Sequence, residues 1–319
     1  MAHKVLFIDT VHPVLEEKLT QDGYECIHDY HCTASELEEI IDDYTGLVIR
    51  SRLVLTEQIL SKAIKLKFIA RSGSGLENID VNFAESNGIK CINSPEGNAN
   101  AVGEHTLGML LSLFNKLLKG DSEVRSLQWK REENRGLEIS GKTIGIIGYG
   151  NTGKAFARTL GGFDCKVLVY DKFLANYGDA FAKETSMRDL YDACDIISLH
   201  VPYNTKNHYL ACKNFFDSFK KPIFFINTSR GKVLETAALV EAMKSESVLG
   251  ACLDVLEYEK HSFEGLHRDD IPSALKFLIQ SDRTILSPHV AGWTHESYYK
   301  LSVILYQKIH KWREITKDL

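Results

Sequence analysis

Three glycines and one aspartate carry the clearest chemical signal in this chain of 319 residues. A short apolar run at 144–147 is typical of a buried parallel strand. It is followed, at the G-x-G-x-x-G spacing, by Gly148, Gly150 and Gly153. Such glycines permit a tight strand-to-helix turn and let the backbone approach a diphosphate. Asp171 ends the next apolar run, where a carboxylate accepts hydrogen bonds from ribose hydroxyls and repels a 2′-phosphate. The pattern predicts a dinucleotide site that favours NAD over NADP.

Polar segments also follow several other apolar runs. They are Arg71-Ser72-Gly73-Ser74-Gly75, Asn227-Thr228-Ser229-Arg230-Gly231, Asp254–Glu259 and Ser287–Thr294. Because open α/β sheets bind ligands at the carboxyl ends of their strands, these segments are candidate binding sites. The loop at 72–75 either presents backbone N–H groups to an anion or is a flexible turn. Arg230 is suited to a carboxylate, which its planar fork can grip with two parallel hydrogen bonds. Taken alone, a histidine such as His289 is more often structural than catalytic, and an acid such as Glu259 is more often a surface charge.

Composition narrows the class of protein. A chain with 44% hydrophobic and 25% charged residues is typical of a globular protein. The net charge of −5 gives no general attraction to nucleic acid or anionic membranes, so neither is expected as a partner. No apolar run approaches the ~18 residues of a membrane span, and we expect a cytoplasmic location. The cysteines form no C-x-x-C pair, so neither a disulfide framework nor a metal site is predicted.

The first part of the chain alternates short apolar runs with helical patterns, which predicts a small α/β unit with a parallel sheet. Its predicted strands are Val5–Ile8, Leu47–Ile49, Phe68–Ala70 and Lys90–Ile92, and its helical patterns are Leu15–Leu19 and Ile59–Ile64. A long helix with a wide apolar face is predicted from Asn98 through Lys119. Residues 120–141 are mostly polar and resemble an exposed arm that buries its few apolar groups on another subunit.

A second α/β series begins at Lys142 and predicts a six-stranded, doubly wound sheet. The strands are predicted at 144–147, 166–170, 195–199, 223–227, 249–253 and 284–287. The helical stretch Glu296–Ile315 comes after that sheet is complete, so we expect it to return to the first domain. The predicted domains are 1–97 with 290–319, and 98–289.

Together these segments resemble the D-isomer-specific 2-hydroxyacid dehydrogenase family over nearly the whole chain. The shared features are the loop at 71–75, the segment 98–105, the glycine fingerprint, the segment 227–231, the Asp-Val-x-x-x-Glu spacing from Asp254 to Glu259, and Ser-Pro-His-Val-Ala-Gly at 287–292. The resemblance implies a doubly wound Rossmann domain that binds NAD and a discontinuous, flavodoxin-like α/β substrate domain. It also implies a homodimer formed through the nucleotide-binding domain and the arm.

The resemblance further implies hydride transfer between NAD(H) and C2 of a small 2-hydroxy or 2-oxo acid. The family's catalytic arginine, glutamate and histidine fall on Arg230, Glu259 and His289. His289 would move the proton at the C2 oxygen, Glu259 would orient it, and Arg230 would bind the substrate carboxylate. The predicted cofactor-binding residues are Gly148, Tyr149, Gly150, Asn151, Thr152, Gly153, Asp171, His200, Val201, Pro202, Thr228, Ser229, Arg230, Asp254, His289 and Gly292. The predicted substrate-binding residues are Arg50, Arg52, Ser72, Gly73, Ser74, Gly75, Asn98, Arg230 and His289.

The choice of acid depends on a basic segment. Arg50-Ser51-Arg52 resembles the motif that meets the substrate phosphate in phosphoglycerate dehydrogenases, which favours 3-phosphoglycerate over hydroxypyruvate or glyoxylate. The chain ends shortly after the family's final helix, so no C-terminal regulatory domain is expected. Formate dehydrogenase is disfavoured because it usually has glutamine at the position of Glu259. Two alternatives from other classes are an NAD-sensing corepressor and a Rossmann-like methyltransferase, although the latter leaves the arginine, glutamate and histidine unexplained.

Two features depart from the commonest pattern of the family. Lys260 stands where proline is usual, and the interval before His289 contains an extra-looking stretch at 261–280. That stretch is interpreted as a surface excursion in preference to a helical insertion near the active site.

Overall fold

The computed structural model describes residues 3–259 and 271–316, which divide into two compact units. The first unit contains residues 3–98 and 293–316, and the second contains residues 99–259 and 271–292. The strands are β1 His3–Phe7, β2 Tyr24–His28, β3 Gly46–Ile49, β4 Phe68–Arg71, β5 Lys90–Asn93, β6 Thr143–Ile147, β7 Lys166–Tyr170, β8 Lys183–Glu184, β9 Ile196–Leu199, β10 Ile223–Asn227, β11 Val248–Leu253 and β12 Thr284–Leu286. The helices are α1 Val14–Gln21, α2 Ala34–Ile40, α3 Glu57–Leu60, α4 Val81–Ser86, α5 Ala99–Phe114, α6 Leu117–Arg125, α7 Asn151–Thr159, α8 Met187–Ala193, α9 Lys213–Asp217, α10 Thr236–Lys244, α11 Ser273–Gln280 and α12 His295–Thr316.

The first unit is built on a parallel sheet with strand order β2-β1-β3-β4-β5. Its central strands β1, β3 and β4 are mostly buried on both faces, as expected where helices cover both sides of a parallel sheet. In β1, Val5 and Phe7 join the cluster that contains Leu305 of α12, whereas Leu6 joins the cluster on the other face. The order confirms the flavodoxin-like arrangement that the family resemblance implies.

Two sequence-based predictions for this unit are wrong. Strand β2 is absent from the prediction, because its residues Tyr-Glu-Cys-Ile-His lack a continuous apolar run and only Tyr24 is buried. It lies at the sheet edge, where one side needs little apolar cover. The helix predicted over 59–64 ends early, since α3 stops at Leu60 and Ile64 is exposed.

The helical stretch near the end of the chain forms α12, close to its predicted bounds. It packs on α1, where Asp22 accepts hydrogen bonds from Tyr306 and from the Arg313 guanidinium. Although α12 has 22 residues, neither it nor any other helix within 3–259 and 271–316 combines the length and hydropathy that crossing a membrane requires.

The second unit contains a seven-stranded parallel sheet with order β12-β11-β10-β9-β6-β7-β8. All six predicted strands are present, and the reversal of strand order beside β6 confirms the doubly wound class. The seventh strand, β8, has only two charged residues and pairs with β7 at the edge. Such a short charged segment gives no apolar pattern that a sequence prediction can use.

The single helix predicted over 98–119 is also wrong, because the structure divides that region into α5 and α6. Lys116 adopts φ +50, which takes the backbone out of the helical conformation. The Phe114 carbonyl accepts a hydrogen bond from the Leu137 N–H at 2.9 Å, so a chain segment from outside the helix satisfies it. Leu117, an apolar residue within the predicted helix, is exposed.

Lys260 lies outside the described residues, and so does the first half of the stretch at 261–280. Its interpretation as a surface excursion is wrong for residues 273–280, which form α11. Leu275 and Leu278 are buried, and the helix packs against α10 and β12. This helix therefore belongs to the connection that leads from β11 to β12.

Candidate active site

The glycine loop after β6 has the shape that a diphosphate requires. Gly148 has φ +94, and a side chain there would collide with the carbonyl of His200. A side chain at Gly153 would collide with the Gly148 carbonyl, so this glycine allows α7 to start against the strand. At Gly150, in contrast, no atom of the described chain apart from the neighbouring backbone lies within 4 Å of the position that a Cβ would take. Space is therefore open at the glycine where the prediction places the diphosphate.

Asp171 follows β7, next to this loop. Its Oδ2 accepts a hydrogen bond from the Tyr149 N–H at 2.8 Å, and its Oδ1 accepts one from the Phe173 N–H at 2.9 Å. An ionised carboxylate has about four acceptor positions, so further hydrogen bonds from ribose hydroxyls remain possible. The glycine loop and this carboxylate fit NAD as a cofactor.

His200 lies beneath the loop as a neutral imidazole. Burial lowers its pKa to about 3. Its Nδ1 is 3.3 Å from the Thr152 hydroxyl, its Nε2 is 2.9 Å from the Ser198 hydroxyl, and its ring stacks on Phe156. The side chain therefore supports the first turn of α7, and its predicted contact with the cofactor stays a prediction.

Three neighbouring strands bring the other candidate segments to one edge of the sheet. Asn227 of β10 pairs with Leu253 of β11, which in turn pairs with Leu286 of β12. The strands end in register, so the segments that begin at residues 228, 254 and 287 all leave the sheet at its carboxyl edge. This is the edge at which doubly wound sheets bind their ligands.

Glu259 and His289 meet at this edge. The Nδ1 atom of His289 is 2.7 Å from Oε2 of Glu259, and Oε1 of Glu259 accepts a hydrogen bond from the Leu256 N–H. Because an ionised carboxylate only accepts, Nδ1 is the donor, and proton exchange by this imidazole falls to Nε2. Both side chains are largely buried.

The backbone of His289 is strained. It adopts φ +55, a conformation that costs a non-glycine residue about 1–3 kcal/mol and is often found at functional sites. The Asp254 carbonyl accepts a hydrogen bond from the His289 N–H at 2.8 Å. The carboxylate of Asp254 accepts from the N–H groups of Val290 and Ala291, both at 2.9 Å. Asp254 therefore holds the backbone of the histidine loop in this conformation.

Asp254 is 1% exposed, and its carboxylate also accepts a hydrogen bond from the Ser287 hydroxyl at 2.6 Å. Three donors thus stabilise a buried negative charge that would otherwise be costly. Its predicted contact with the nicotinamide stays a prediction.

The Arg230 loop packs on the Glu259 loop. Asn227 organises the turn, since its side chain donates to the Arg230 carbonyl and accepts from Ser229. The neighbouring Gly231 lies against the Leu256 backbone so closely that no side chain would fit. The Arg230 guanidinium donates to the Ser229 carbonyl at 2.7 Å. The arginine and glutamate segments are therefore in direct backbone contact.

In the first unit, Arg52 is bonded to its own domain. Its guanidinium donates to the Ile8 carbonyl at 2.8 Å and to the Cys32 carbonyl at 2.6 Å. It also lies 3.5 Å from the Asp9 carboxylate. These contacts brace the strand ends and neutralise the charge of the arginine. The Arg50 guanidinium stacks on an aromatic ring of the same unit, 4.0 Å from the centre of the Trp293 ring.

In the loop at 72–75, one of the backbone donors that an anion nest would use is already bonded. The Ser72 N–H donates to the Ile49 carbonyl at 2.9 Å and so continues the sheet. The Ser74 hydroxyl donates to the Asn98 side chain at 2.7 Å, which brings two of the predicted substrate-binding residues together.

The predicted site residues leave out three residues that the structure places beside these groups. His105 and Ser287 contact Asp254, and Trp293 contacts Arg50. Ser287 and Trp293 lie within the candidate segment 287–294 and His105 ends the segment 98–105, but the sequence assigned no role to any of the three.

Residues 107–291, the part of the chain that contains the glycine loop and the carboxyl-edge segments, match the family model described as D-isomer specific 2-hydroxyacid dehydrogenase, NAD binding domain. The chain belongs to this family. The second unit is therefore its NAD-binding domain, which confirms the cofactor that the glycine fingerprint predicts.

Relatives within the D-2-hydroxyacid dehydrogenases differ in substrate. The chain is 30% identical over 308 residues to a D-3-phosphoglycerate dehydrogenase of Archaeoglobus fulgidus, covering 96% of this chain and 56% of that protein. It is 31% identical over 281 residues to a hydroxypyruvate reductase of Thermotoga maritima, covering 88% and 89%. The chain spans about half the length of the phosphoglycerate dehydrogenases it matches. A solved D-lactate dehydrogenase of Aquifex aeolicus, complexed with NAD and lactic acid, superposes with a TM-score of 0.81 at 26% identity, covering 99% and 96%.

Proposed function

We propose that this D-2-hydroxyacid dehydrogenase interconverts a small D-2-hydroxy acid and its 2-oxo acid, with NAD as the cofactor. The observation that carries the proposal is the 2.7 Å contact between Glu259 and His289, at the edge of a sheet whose glycine loop fits NAD. A carboxylate paired with an imidazole is suited to acid–base catalysis, because it orients the ring and stabilises its protonated form.

Each residue of the pair has a distinct role in this proposal. NAD, when bound, supplies or accepts the hydride at C2 of the acid. Nε2 of His289 donates a proton to the C2 oxygen during reduction and takes it back during oxidation. Glu259 stabilises the imidazolium through Nδ1. Arg230 binds the substrate carboxylate and stabilises negative charge that develops on the C2 oxygen.

For the cofactor, we propose a preference for NAD over NADP that Asp171 determines. Its carboxylate is held by the N–H groups of Tyr149 and Phe173, so it has a fixed position after β7. A 2′-phosphate near it would suffer charge repulsion, whereas ribose hydroxyls would donate hydrogen bonds to it.

For the substrate, we propose an unphosphorylated acid such as hydroxypyruvate or glyoxylate. The contacts of Arg52 with Asp9, Ile8 and Cys32 support this choice, because they occupy one of the two cations that the phosphate interpretation requires. The hydroxypyruvate reductase relative, which matches along most of its own length, points the same way.

The second candidate is 3-phosphoglycerate. It is favoured by the phosphoglycerate dehydrogenase relatives and by Arg50, whose guanidinium lies on the Trp293 ring. A guanidinium stacked on an aromatic ring keeps its positive charge, which attracts a phosphate.

We also propose that the arm at 120–141 binds a second copy of this chain. Leu127 is 96% exposed and Trp129 is 78% exposed, and Val124 and Leu137 add to the same arm. Burying such apolar groups stabilises association. Light scattering on the purified protein should give the mass of a dimer, and a Leu127→Glu/Trp129→Glu variant should shift it toward the monomer. A monomeric wild type would contradict this proposal.

The deciding experiment is a substrate panel with NADH and NADPH. Hydroxypyruvate, glyoxylate, phosphohydroxypyruvate, pyruvate and bulkier 2-oxo acids are compared by kcat/KM, with His289→Gln as the background control. We expect turnover with NADH, highest for hydroxypyruvate or glyoxylate. A higher value for phosphohydroxypyruvate would select the second candidate. NADH binding without turnover of any acid would contradict the dehydrogenase proposal and support the corepressor alternative.

A further inference from the structure

We propose that His105 is a positioning residue for His289, acting through Ser287 and Asp254. The inference rests on the proposed function, in which His289 moves the proton. His105 lies on α5, far from His289 in sequence, and its side chain is 28% exposed. Its Nε2 is 3.0 Å from the Ser287 hydroxyl and 3.5 Å from Oδ1 of Asp254.

The direction of these hydrogen bonds follows from the chemistry of the groups. The Ser287 hydroxyl has one hydrogen, and the Asp254 carboxylate 2.6 Å away can only accept it. The sulfur of Met109 is a second acceptor at 3.7 Å, but a thioether competes poorly with a charged oxygen. The Ser287 oxygen therefore accepts from His105, whose Nε2 must carry a hydrogen. His105 therefore donates a hydrogen bond to Ser287, and Ser287 donates one to Asp254.

Asp254 connects these hydrogen bonds to the loop that carries His289. Its Oδ1 accepts from the Ser287 hydroxyl and the Val290 N–H, and its Oδ2 accepts from the Ala291 N–H. These donors fix the plane of the carboxylate against the two residues that follow His289. The His289 backbone, with its positive φ, depends on that support to keep its Nδ1 on Glu259.

His105 strengthens the support in two ways. A donor on the Ser287 oxygen polarises its O–H and so strengthens the bond to the carboxylate, as in other chains of hydrogen bonds. It also keeps the hydroxyl from rotating toward Met109. Without it, Asp254 loses a firmly oriented partner, and the histidine loop relaxes from its strained conformation.

The test compares His105→Leu with His105→Gln. Leucine is similar in size but donates no hydrogen bond, whereas the glutamine amide places an N–H donor near the position of Nε2. We expect His105→Leu to lower kcat by roughly tenfold, the size of effect that a small misplacement of a catalytic group produces. The dissociation constant of NADH, from fluorescence titration, should stay unchanged.

His105→Gln should restore most of kcat, and Ser287→Ala should lower kcat as much as His105→Leu does. The double variant His105→Leu/Ser287→Ala should be no worse than either single one, because both interrupt the same chain.

Wild-type kcat in His105→Leu would overturn the inference. So would an equal loss in His105→Gln and His105→Leu, because the position would then serve packing and not hydrogen bonding. Thermal unfolding of each variant checks folding, and if His105→Leu does not fold, the comparison of His105→Gln with Ser287→Ala decides. Failure of the proposed function looks different: the wild type would turn over no acid, or His289→Gln would keep full activity.

Discussion

The loops at the carboxyl ends of the two sheets contain similar polar residues but use them differently. In the second unit, the loops after β11 and β12 bond to each other, with Asp254 holding the His289 backbone and Glu259 holding its ring. In the first unit, Arg52 bonds to the carbonyls of its own strand ends. In the proposed function, the second unit carries the proton-transfer chemistry, and we expect Arg50 but not Arg52 of the basic segment to serve the substrate.

The largest expected effect is at His289. Replacing it with glutamine removes the group that exchanges the proton, so turnover with a 2-oxo acid should fall by about 10³-fold, within the usual range for acid–base catalysis. The dissociation constant of NADH should stay nearly unchanged, because the substitution does not alter the glycine loop or Asp171. Stopped-flow turnover and fluorescence titration measure the two quantities. Undiminished turnover would exclude His289 as the acid–base group.

The next effect concerns the choice of cofactor. Asp171→Ala should lower the ratio of kcat/KM for NADH over NADPH by about tenfold or more, because a hydrogen bond to a charged group contributes about 1.5–3 kcal/mol. Glu241→Ala, which removes an exposed acid on α10, is the matched control. An unchanged ratio in Asp171→Ala would show that this carboxylate does not select the cofactor.

A pair of variants separates the two arginines of the first unit. Arg52→Met should lower the free energy of unfolding by about 1–3 kcal/mol, since it leaves buried carbonyls of the strand ends without their donors. It should leave the ranking of substrates intact. Arg50→Met should leave the free energy of unfolding nearly unchanged and should change the ranking of substrates. If Arg52→Met abolished turnover of phosphohydroxypyruvate alone, the bracing role of Arg52 would be the wrong explanation.

The smallest effect is the pH dependence that His200 adds to stability. Unfolded, this histidine binds a proton below about pH 6.5, whereas burial in the fold lowers its pKa to about 3. The unfolded state therefore binds the extra proton between these values, and the free energy of unfolding should fall by about 1.4 kcal/mol per unit as the pH drops. Urea unfolding at pH 6.5 and 5 should show a smaller pH slope for His200→Asn. An equal slope would mean that His200 is not a buried neutral histidine.

Much of the architecture is predictable because apolar runs identify buried parallel strands. Strands β2 and β8 were not predicted, because edge strands need less apolar cover. The break at Lys116 was not predicted, because it depends on Leu137, a residue distant in sequence. In the candidate site, the family resemblance, and not the residue types alone, indicated the roles of Glu259 and His289. The internal contacts of Arg52 could not be foreseen, since they depend on carbonyls that only the fold brings near.

The most direct test of the Glu259–His289 pair is a double-mutant cycle on kcat with the best 2-oxo acid. Glu259→Gln alone should lower kcat by about a hundredfold, and His289→Gln by more. If the two act as one unit, the double variant should be no slower than His289→Gln alone. A double variant slowed by the product of the two single effects would show that the residues act independently and would contradict the account.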